Sequence, residues 1–183
     1  MDYLLEKYRS EWSPIITADD YQYGLGEISP EVTATSDGTK VTRIDFQISN
    51  PKGKKIECSI YKHESGDRPC LVYSHSHSGN KAEGAHLVDA VVDYFSLVIF
   101  DYTGYGYSDK DHCTLGLKEQ EDLKSVVEYV RKTYEFKDVY CWARSMGAVT
   151  ALLLSHRERS GIFKGMVIDS PFSSTKEMVT ATV

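Results

Sequence analysis

The chain has 183 residues, of which 41% are hydrophobic and 26% are charged, so it is long enough to bury a core of its own. A net charge of −6 without a basic stripe argues against a nucleic-acid partner, and no run approaches the ~18 apolar residues of a membrane span. The first residues show no secretory signal and the four cysteines lack metal-type spacing, so we expect a cytoplasmic protein with reduced thiols.

The first part of the chain shows little pattern before a hairpin. Residues 1–37 are predicted to be an N-terminal extension in which 1–12 could form a short helix. Residues 41–50 and 54–62 have the composition of strands, and the turn between them contains proline and glycine, which favours a β-hairpin. We therefore place the folded domain at 38–183.

Apolar strands alternate with amphipathic helices over the rest of the chain. Four short runs are continuously apolar, as parallel strands covered on both faces are, and they lie at 71–75, 97–102, 139–143 and 165–170. Helical spacing of apolar residues occurs between them, over 85–92, 118–134 and 148–155. This alternation predicts an α/β fold with a mostly parallel sheet and flanking helices.

A serine stands between the third of these strands and the next helix. Ser145 follows the strand, and the small residues Ala143 and Gly147 stand two positions on either side of it. In a nucleophile elbow a sharp turn between strand and helix raises a serine hydroxyl above the sheet, and the two backbones nearly touch there. The pattern predicts an exposed catalytic Ser145, with an ordinary helix-starting serine as the alternative.

Four sequence blocks resemble the α/β-hydrolase superfamily, and more closely its serine aminopeptidase S33-like branch, which includes the Bem46-type hydrolases. The blocks occur in the family's order, at 71–80, 100–109, 142–152 and 167–173. The resemblance implies an α/β-hydrolase fold that this chain contains up to about the sixth strand. It also implies a serine hydrolase that needs no cofactor and cleaves an ester, thioester or amide bond of a small-molecule or acyl substrate.

The resemblance also places an oxyanion hole beside the serine. One donor would be the backbone N–H of Met146, directly after the nucleophile, and the other comes from the loop after the third strand of the family fold. In that loop the resemblance assigns the donor to His77, with Ser76 as the alternative. Ser76 stands where the family has glycine, so the loop is expected to depart from the family's geometry.

The other two members of a catalytic triad have no counterpart in the sequence. The fold's chain order is serine, acid, histidine, yet the only histidine after Ser145 is His156, about 16 Å farther along the same helix. Asp169 ends the sixth strand, whereas the family places its acid after the seventh. We therefore expect an N-terminal part of a serine hydrolase that is inactive by itself, because the residues supplying the acid and the base are missing.

Two further interpretations stay open at this stage. The chain could be a non-catalytic binding or interaction module with the same fold, which the departures at Ser76 and Ala143 favour. A metal-dependent hydrolase using His75 and His77 is the third interpretation, although the residues that follow lack the ligands of a two-metal site. The apolar strand at 165–170 would form an exposed edge of the sheet, through which the chain could self-associate.

Overall fold

The computed structural model describes residues 33–66, 68–159, 161–174 and 176, so the helix predicted over 1–12 lies outside the described residues. The described strands are β1 Thr33–Ala34, β2 Lys40–Ser49, β3 Lys55–His63, β4 Cys70–Ser74, β5 Ser96–Phe100, β6 Val139–Arg144 and β7 Gly165–Asp169. The described helices are α1 Lys81–Ala85, α2 Val88–Val91, α3 Glu119–Tyr134 and α4 Met146–Arg157.

The strands form one mixed sheet in the order β1-β2-β3-β5-β4-β6-β7. Strands β5, β4, β6 and β7 are parallel to one another, and β1 to β3 add antiparallel pairs at the other side. Because β4, β6 and β7 are parallel neighbours, their carboxyl ends lie side by side at the same end of the sheet. The residues Thr33–Ala34, which lie in the predicted extension, pair with β2 as a short edge strand.

Two apolar cores explain why the central strands are continuously apolar. In β4, Val72 belongs to the core that α3 and α4 cover, whereas Leu71 and Tyr73 belong to the core that α1 and α2 cover. Because successive side chains of a strand point to opposite faces, a sheet with helices on both faces buries every position of its central strands. All five residues of β4 and of β5 are accordingly buried.

The predicted β-hairpin is present between β2 and β3. The side-chain Oδ1 of Asn50 accepts the backbone N–H groups of Lys52 and Lys54, and Gly53 has a φ of 75°. An asparagine that bonds its own backbone and a glycine in the left-handed region are the usual chemistry of a tight turn. Asn50 also donates its Nδ2 to Asp122 of α3 at 2.8 Å, which ties the hairpin to the helix layer.

Strand β7 differs from the other parallel strands because both of its faces are exposed. Met166 is 36% exposed and Val167 is 48% exposed, although consecutive residues point to opposite faces. Within the described part of the chain β7 pairs only with β6, through residues such as Cys141 and Met166. The continuously apolar run by itself predicted a strand covered on both faces, whereas the separate expectation of an exposed edge at 165–170 agrees with the exposure of Met166 and Val167.

Three of the four cysteines are buried in the sheet. Burial raises the pKa of the Cys58, Cys70 and Cys141 thiols, and the described residues contain no disulfide. The fourth, Cys113, is partly buried, and burial raises the pKa of its thiol to about 12. In the same part of the chain, no helix has the length and apolar character that crossing a lipid bilayer demands.

Candidate active site

The backbone turns sharply at Ser145, between the end of β6 and the start of α4. Ser145 has φ 50° and ψ −113°, a backbone conformation that residues other than glycine rarely adopt. Its N–H donates to the carbonyl oxygen of Asp169 at the end of β7, at 2.8 Å. This bond places Ser145 beside the neighbouring strand, and its side chain is half-buried instead of exposed as predicted.

Gly147 brings the start of α4 into contact with the end of β4. A Cβ atom at this position would overlap the carbonyl oxygen of Ser74 and lie 2.7 Å from that of His75. Two backbones can approach this closely only where one residue has no side chain. The first turn of α4, which includes Met146, therefore lies directly beside the loop that follows β4.

The loop after β4 is held in place by the buried ring of His75. Its Nδ1 lies 2.7 Å from the carbonyl oxygen of Ser76, and its Nε2 lies 3.2 Å from the backbone nitrogen of Tyr102. A backbone N–H only donates, so Nε2 is the acceptor and Nδ1 carries the hydrogen that Ser76 accepts. Burial lowers the pKa of His75, which favours this neutral form.

Ser76, the alternative oxyanion donor, has its N–H engaged elsewhere. The N–H donates to Oε2 of Glu83 at 2.9 Å, and the Ser76 hydroxyl donates to the same oxygen at 3.0 Å. The Ser76 carbonyl accepts from His75 and also from the backbone N–H of Gly79 at 3.2 Å. All the polar groups of Ser76 therefore bond within the loop and to α1.

The side chain of His77 lies against two residues of the loop after β5. Its Nδ1 is 2.5 Å from the Tyr105 hydroxyl and 3.4 Å from Sγ of Cys113. Tyr105 and Cys113 also contact Sδ of Met146, at 3.4 and 3.5 Å. Burial lowers the pKa of His77. The structure thus brings together two of the predicted site residues, His77 and Met146, through shared neighbours.

A pair of charged residues beside the serine was missed by the sequence analysis. Arg144, directly before Ser145, has Nη1 at 3.2 Å from Oε1 of Glu83 and Nε at 3.6 Å from Oδ2 of Asp169. Glu83 also accepts the Tyr73 hydroxyl at 3.0 Å. An arginine ending an otherwise apolar strand was the available signal for Arg144, whereas nothing in the sequence distinguishes Glu83 from other acidic residues in first turns of helices.

The glycine-containing loop after β5 folds around the carboxylate of Asp101. Its Oδ1 accepts the N–H of Lys81 at 2.7 Å, and its Oδ2 accepts the N–H of Tyr107 at 3.1 Å. Gly106 has a φ of 48°, and a Cβ there would overlap this carboxylate. Asp101 therefore joins this loop to the start of α1.

Among the described residues, the structure shows no histidine hydrogen-bonded to Ser145. Within this part of the chain the Ser145 hydroxyl has no hydrogen-bond partner, and His156 is exposed near the other end of α4. Asp169 accepts the Ser170 hydroxyl at 2.6 Å and pairs with Arg144. Both ring nitrogens of His75 bond to backbone, so that ring is not presented to a metal shared with His77.

Comparisons with known proteins agree with this architecture. The chain is 25% identical over 118 residues to an uncharacterized protein of Acanthamoeba polyphaga mimivirus, a match that covers 60% of this chain and 40% of that protein. It resembles the esterase Pf2001 of Pyrococcus furiosus with a TM-score of 0.59 and 22% identity, over 72% of this chain and 53% of the esterase. A hypothetical protein of Pseudomonas aeruginosa gives a TM-score of 0.65 and 17% identity, over 75% of this chain and 45% of that protein.

The chain thus spans about half the length of these relatives, or less. The structural likenesses confirm the predicted α/β-hydrolase fold, with its mostly parallel sheet and flanking helices. The family model described as serine aminopeptidase, S33 matches residues 68–183, which is more than half of the chain. This chain belongs to the serine aminopeptidase S33 family of α/β hydrolases.

Proposed function

We propose that this chain carries the nucleophile of a serine hydrolase that cleaves an ester, thioester or amide bond, and that Ser145 is the nucleophile. The observation that carries the proposal is the backbone of Ser145, whose φ of 50° occurs between a buried strand and a helix. Strained backbone of this kind persists where the surrounding structure enforces it, and it is frequent at catalytic residues. The turn leaves the hydroxyl without a partner among the described residues.

The proposed oxyanion hole uses the backbone N–H groups of Met146 and His77. Met146 is the first residue of α4, where an N–H has no acceptor within the helix and where the helix dipole favours negative charge. The loop that contains His77 packs beside it because Gly147 permits the close approach. Ser76 is the weaker candidate, because Glu83 already accepts its N–H.

The proposed reaction begins with attack of the Ser145 oxygen on the substrate carbonyl. The new O–C bond forms while the serine proton moves to a base, and the carbonyl oxygen becomes the oxyanion that the two N–H groups stabilise. We propose that the base and its acid partner come from outside the described residues, since His156 lies about 16 Å along α4. The 183-residue chain is then expected to react slowly by itself.

Covalent labelling of Ser145 tests this proposal. A fluorophosphonate forms a bond from the serine oxygen to phosphorus while the P–F bond breaks, so the adduct adds a fixed mass to the labelled peptide. We expect labelling of Ser145 in the product of the complete gene, abolition of labelling in S145A, and labelling at least about 10³-fold slower in the 183-residue chain, because oxyanion-hole and binding contributions alone remain.

The control for labelling is Ser155→Ala, a serine of the same helix, which should leave the labelling unchanged. If Ser145 of the complete gene product does not react while the protein is folded, the proposal is wrong and the chain is better described as a binding module. Rapid labelling of the 183-residue chain would instead show that it contains a base.

We also propose that the 183-residue chain self-associates through the edge strand β7. Met166 and Val167 expose apolar surface on both faces of this strand. In the described residues the outer side of β7 carries no lysine or proline to prevent pairing with another chain. Pairing of the β7 strands from two copies would bury this surface and would give the backbone N–H and C=O groups on the outer side of β7 hydrogen-bond partners.

Substitution of Val167 by lysine tests the self-association. A charge on an edge strand disfavours pairing, so V167K is expected to be monomeric at protein concentrations where the parent chain forms larger species in sedimentation velocity. Tyr94, which is 65% exposed on a different part of the surface, provides the control Y94K. A parent chain that sediments as a monomer throughout the concentration range would contradict the proposal.

A further inference from the structure

One carboxylate joins the loop of the proposed oxyanion hole to the turn of the proposed nucleophile. Oε2 of Glu83 accepts both the N–H and the hydroxyl of Ser76, while Oε1 accepts from Arg144 at 3.2 Å. Ser76 precedes His77, and Arg144 precedes Ser145. The Glu83 side chain is 14% exposed, so its contacts with Ser76 are partly buried, whereas the contact with Arg144 is exposed to solvent.

The contacts of Ser76 determine the direction of the His77 N–H. The Ser76 carbonyl and the His77 N–H belong to one peptide unit, which is planar and trans, so the two groups point in opposite directions. The carbonyl is directed by two donors, the His75 ring and the Gly79 N–H. The preceding peptide unit is directed by Glu83. Both sides of Ser76 are thus fixed, and the orientation of the next N–H follows.

Gly79 provides the space that Glu83 needs to reach Ser76. A Cβ at Gly79 would overlap Oε2 of Glu83 and lie 3.1 Å from the Ser76 hydroxyl oxygen. The contacted atom is the end of a flexible side chain, so an alanine here would displace the carboxylate and not the backbone. Gly79 is not in the left-handed region, and alanine is compatible with its backbone.

Arg144 extends the same connection to the other side of the serine. Its Nε lies 3.6 Å from Oδ2 of Asp169, whose carbonyl oxygen accepts the Ser145 N–H at 2.8 Å. Arg144 is about half exposed, so each of its ion pairs contributes little to stability. Its two carboxylate partners do, however, restrict where the residue before the serine can lie.

We propose that Glu83 is a positioning residue of the serine hydrolase, which holds the loop after β4 so that His77, and not Ser76, supplies the second oxyanion donor. The role rests on the proposed function of Ser145. Glu83 touches no reacting atom. It acts through the Ser76 peptide, and its contact with Arg144 links that peptide to the residue before the serine.

The contact itself is tested in the 183-residue chain by NMR, without any activity. An N–H that donates to a carboxylate has a charge-assisted hydrogen bond and a strongly downfield amide proton. We expect the Ser76 amide resonance to move upfield in both E83Q and G79A. The matched control is E121Q, which removes a surface carboxylate that pairs with Arg157 at 2.6 Å, and it should leave this resonance unchanged.

The positioning role is tested by the kinetics of fluorophosphonate labelling in the complete gene product. Displacement of an oxyanion donor by about 1 Å costs on the order of a hundredfold in rate, so E83Q and G79A should lower the maximal labelling rate between about tenfold and a hundredfold. The concentration of probe for half-maximal rate should stay the same, because ground-state binding is unaffected. E121Q should match the parent protein in both quantities.

Two results would overturn the inference, and they are distinguishable. If the Ser76 amide moves in E83Q and G79A but both variants label at the parental rate, Glu83 does not position the donor and the serine-hydrolase proposal stands. If the folded parent protein is not labelled at all, the function of Ser145 fails and the role of Glu83 fails with it. If circular dichroism shows that E83Q or G79A does not fold, the comparison rests on the variant that does.

Discussion

Substitution of Gly147 by alanine is expected to destabilise the protein by about 2–3 kcal/mol. The new methyl group would overlap the carbonyl oxygen of Ser74 and lie 2.5 Å from its hydroxyl oxygen. Neither the strand end nor the first turn of α4 can move freely, because Met146 and Ala148 beside Gly147 are fully buried. The helix must therefore separate from β4 or the strand end must shift.

Helix propensity predicts the opposite sign, which makes this variant informative. In a helix that contacts nothing at this position, replacement of glycine by alanine stabilises by roughly 0.5–1 kcal/mol. The exposed His156 of the same helix provides the control H156A, which should change stability by less than about 0.5 kcal/mol. Equilibrium urea unfolding measures all three proteins. A G147A variant as stable as its parent would show that α4 does not pack on β4 as described.

The central strands of the sheet could be predicted because the apolar composition that indicates a buried strand lies within each segment itself. Continuous apolar runs such as 97–102 and 139–143 indicate strands buried on both faces, and both are strands of the structure. The short strand Thr33–Ala34 could not be predicted, because a two-residue segment has no periodicity and exists only through its pairing with β2.

The serine turn was predicted better than its surroundings. The turn at Ser145 could be predicted from a short contiguous segment, because the strand, the serine, the small residue Gly147 and the helix follow one another directly along the chain. The engagement of the Ser76 N–H depends instead on a carboxylate seven positions later, whose direction is set by packing of α1 on the sheet. The family resemblance already favoured His77 over Ser76, and the hydrogen bond from the Ser76 N–H to Glu83 adds a physical reason for that preference.

Removal of the Asp101 carboxylate is expected to have the larger effect on stability, about 3–5 kcal/mol for D101A. The side chain is fully buried and accepts the N–H groups of Lys81 and Tyr107. An N–H left without an acceptor in the interior costs about 1–3 kcal/mol, and two are released here together with a small cavity beside Gly106. The loop after β5 and the start of α1 would lose their common support.

A matched carboxylate in the same loop separates burial from hydrogen bonding. Oδ2 of Asp109 also accepts one backbone N–H, that of Lys55 at 2.8 Å, but this contact is exposed. Water replaces the lost acceptor there, so D109A should cost only about 0.5–1.5 kcal/mol. D101N retains one acceptor oxygen and should fall between D101A and the parent in thermal and urea unfolding. Equal losses in D101A and D109A would contradict the assignment, because burial of Asp101 is what makes its two hydrogen bonds costly to lose.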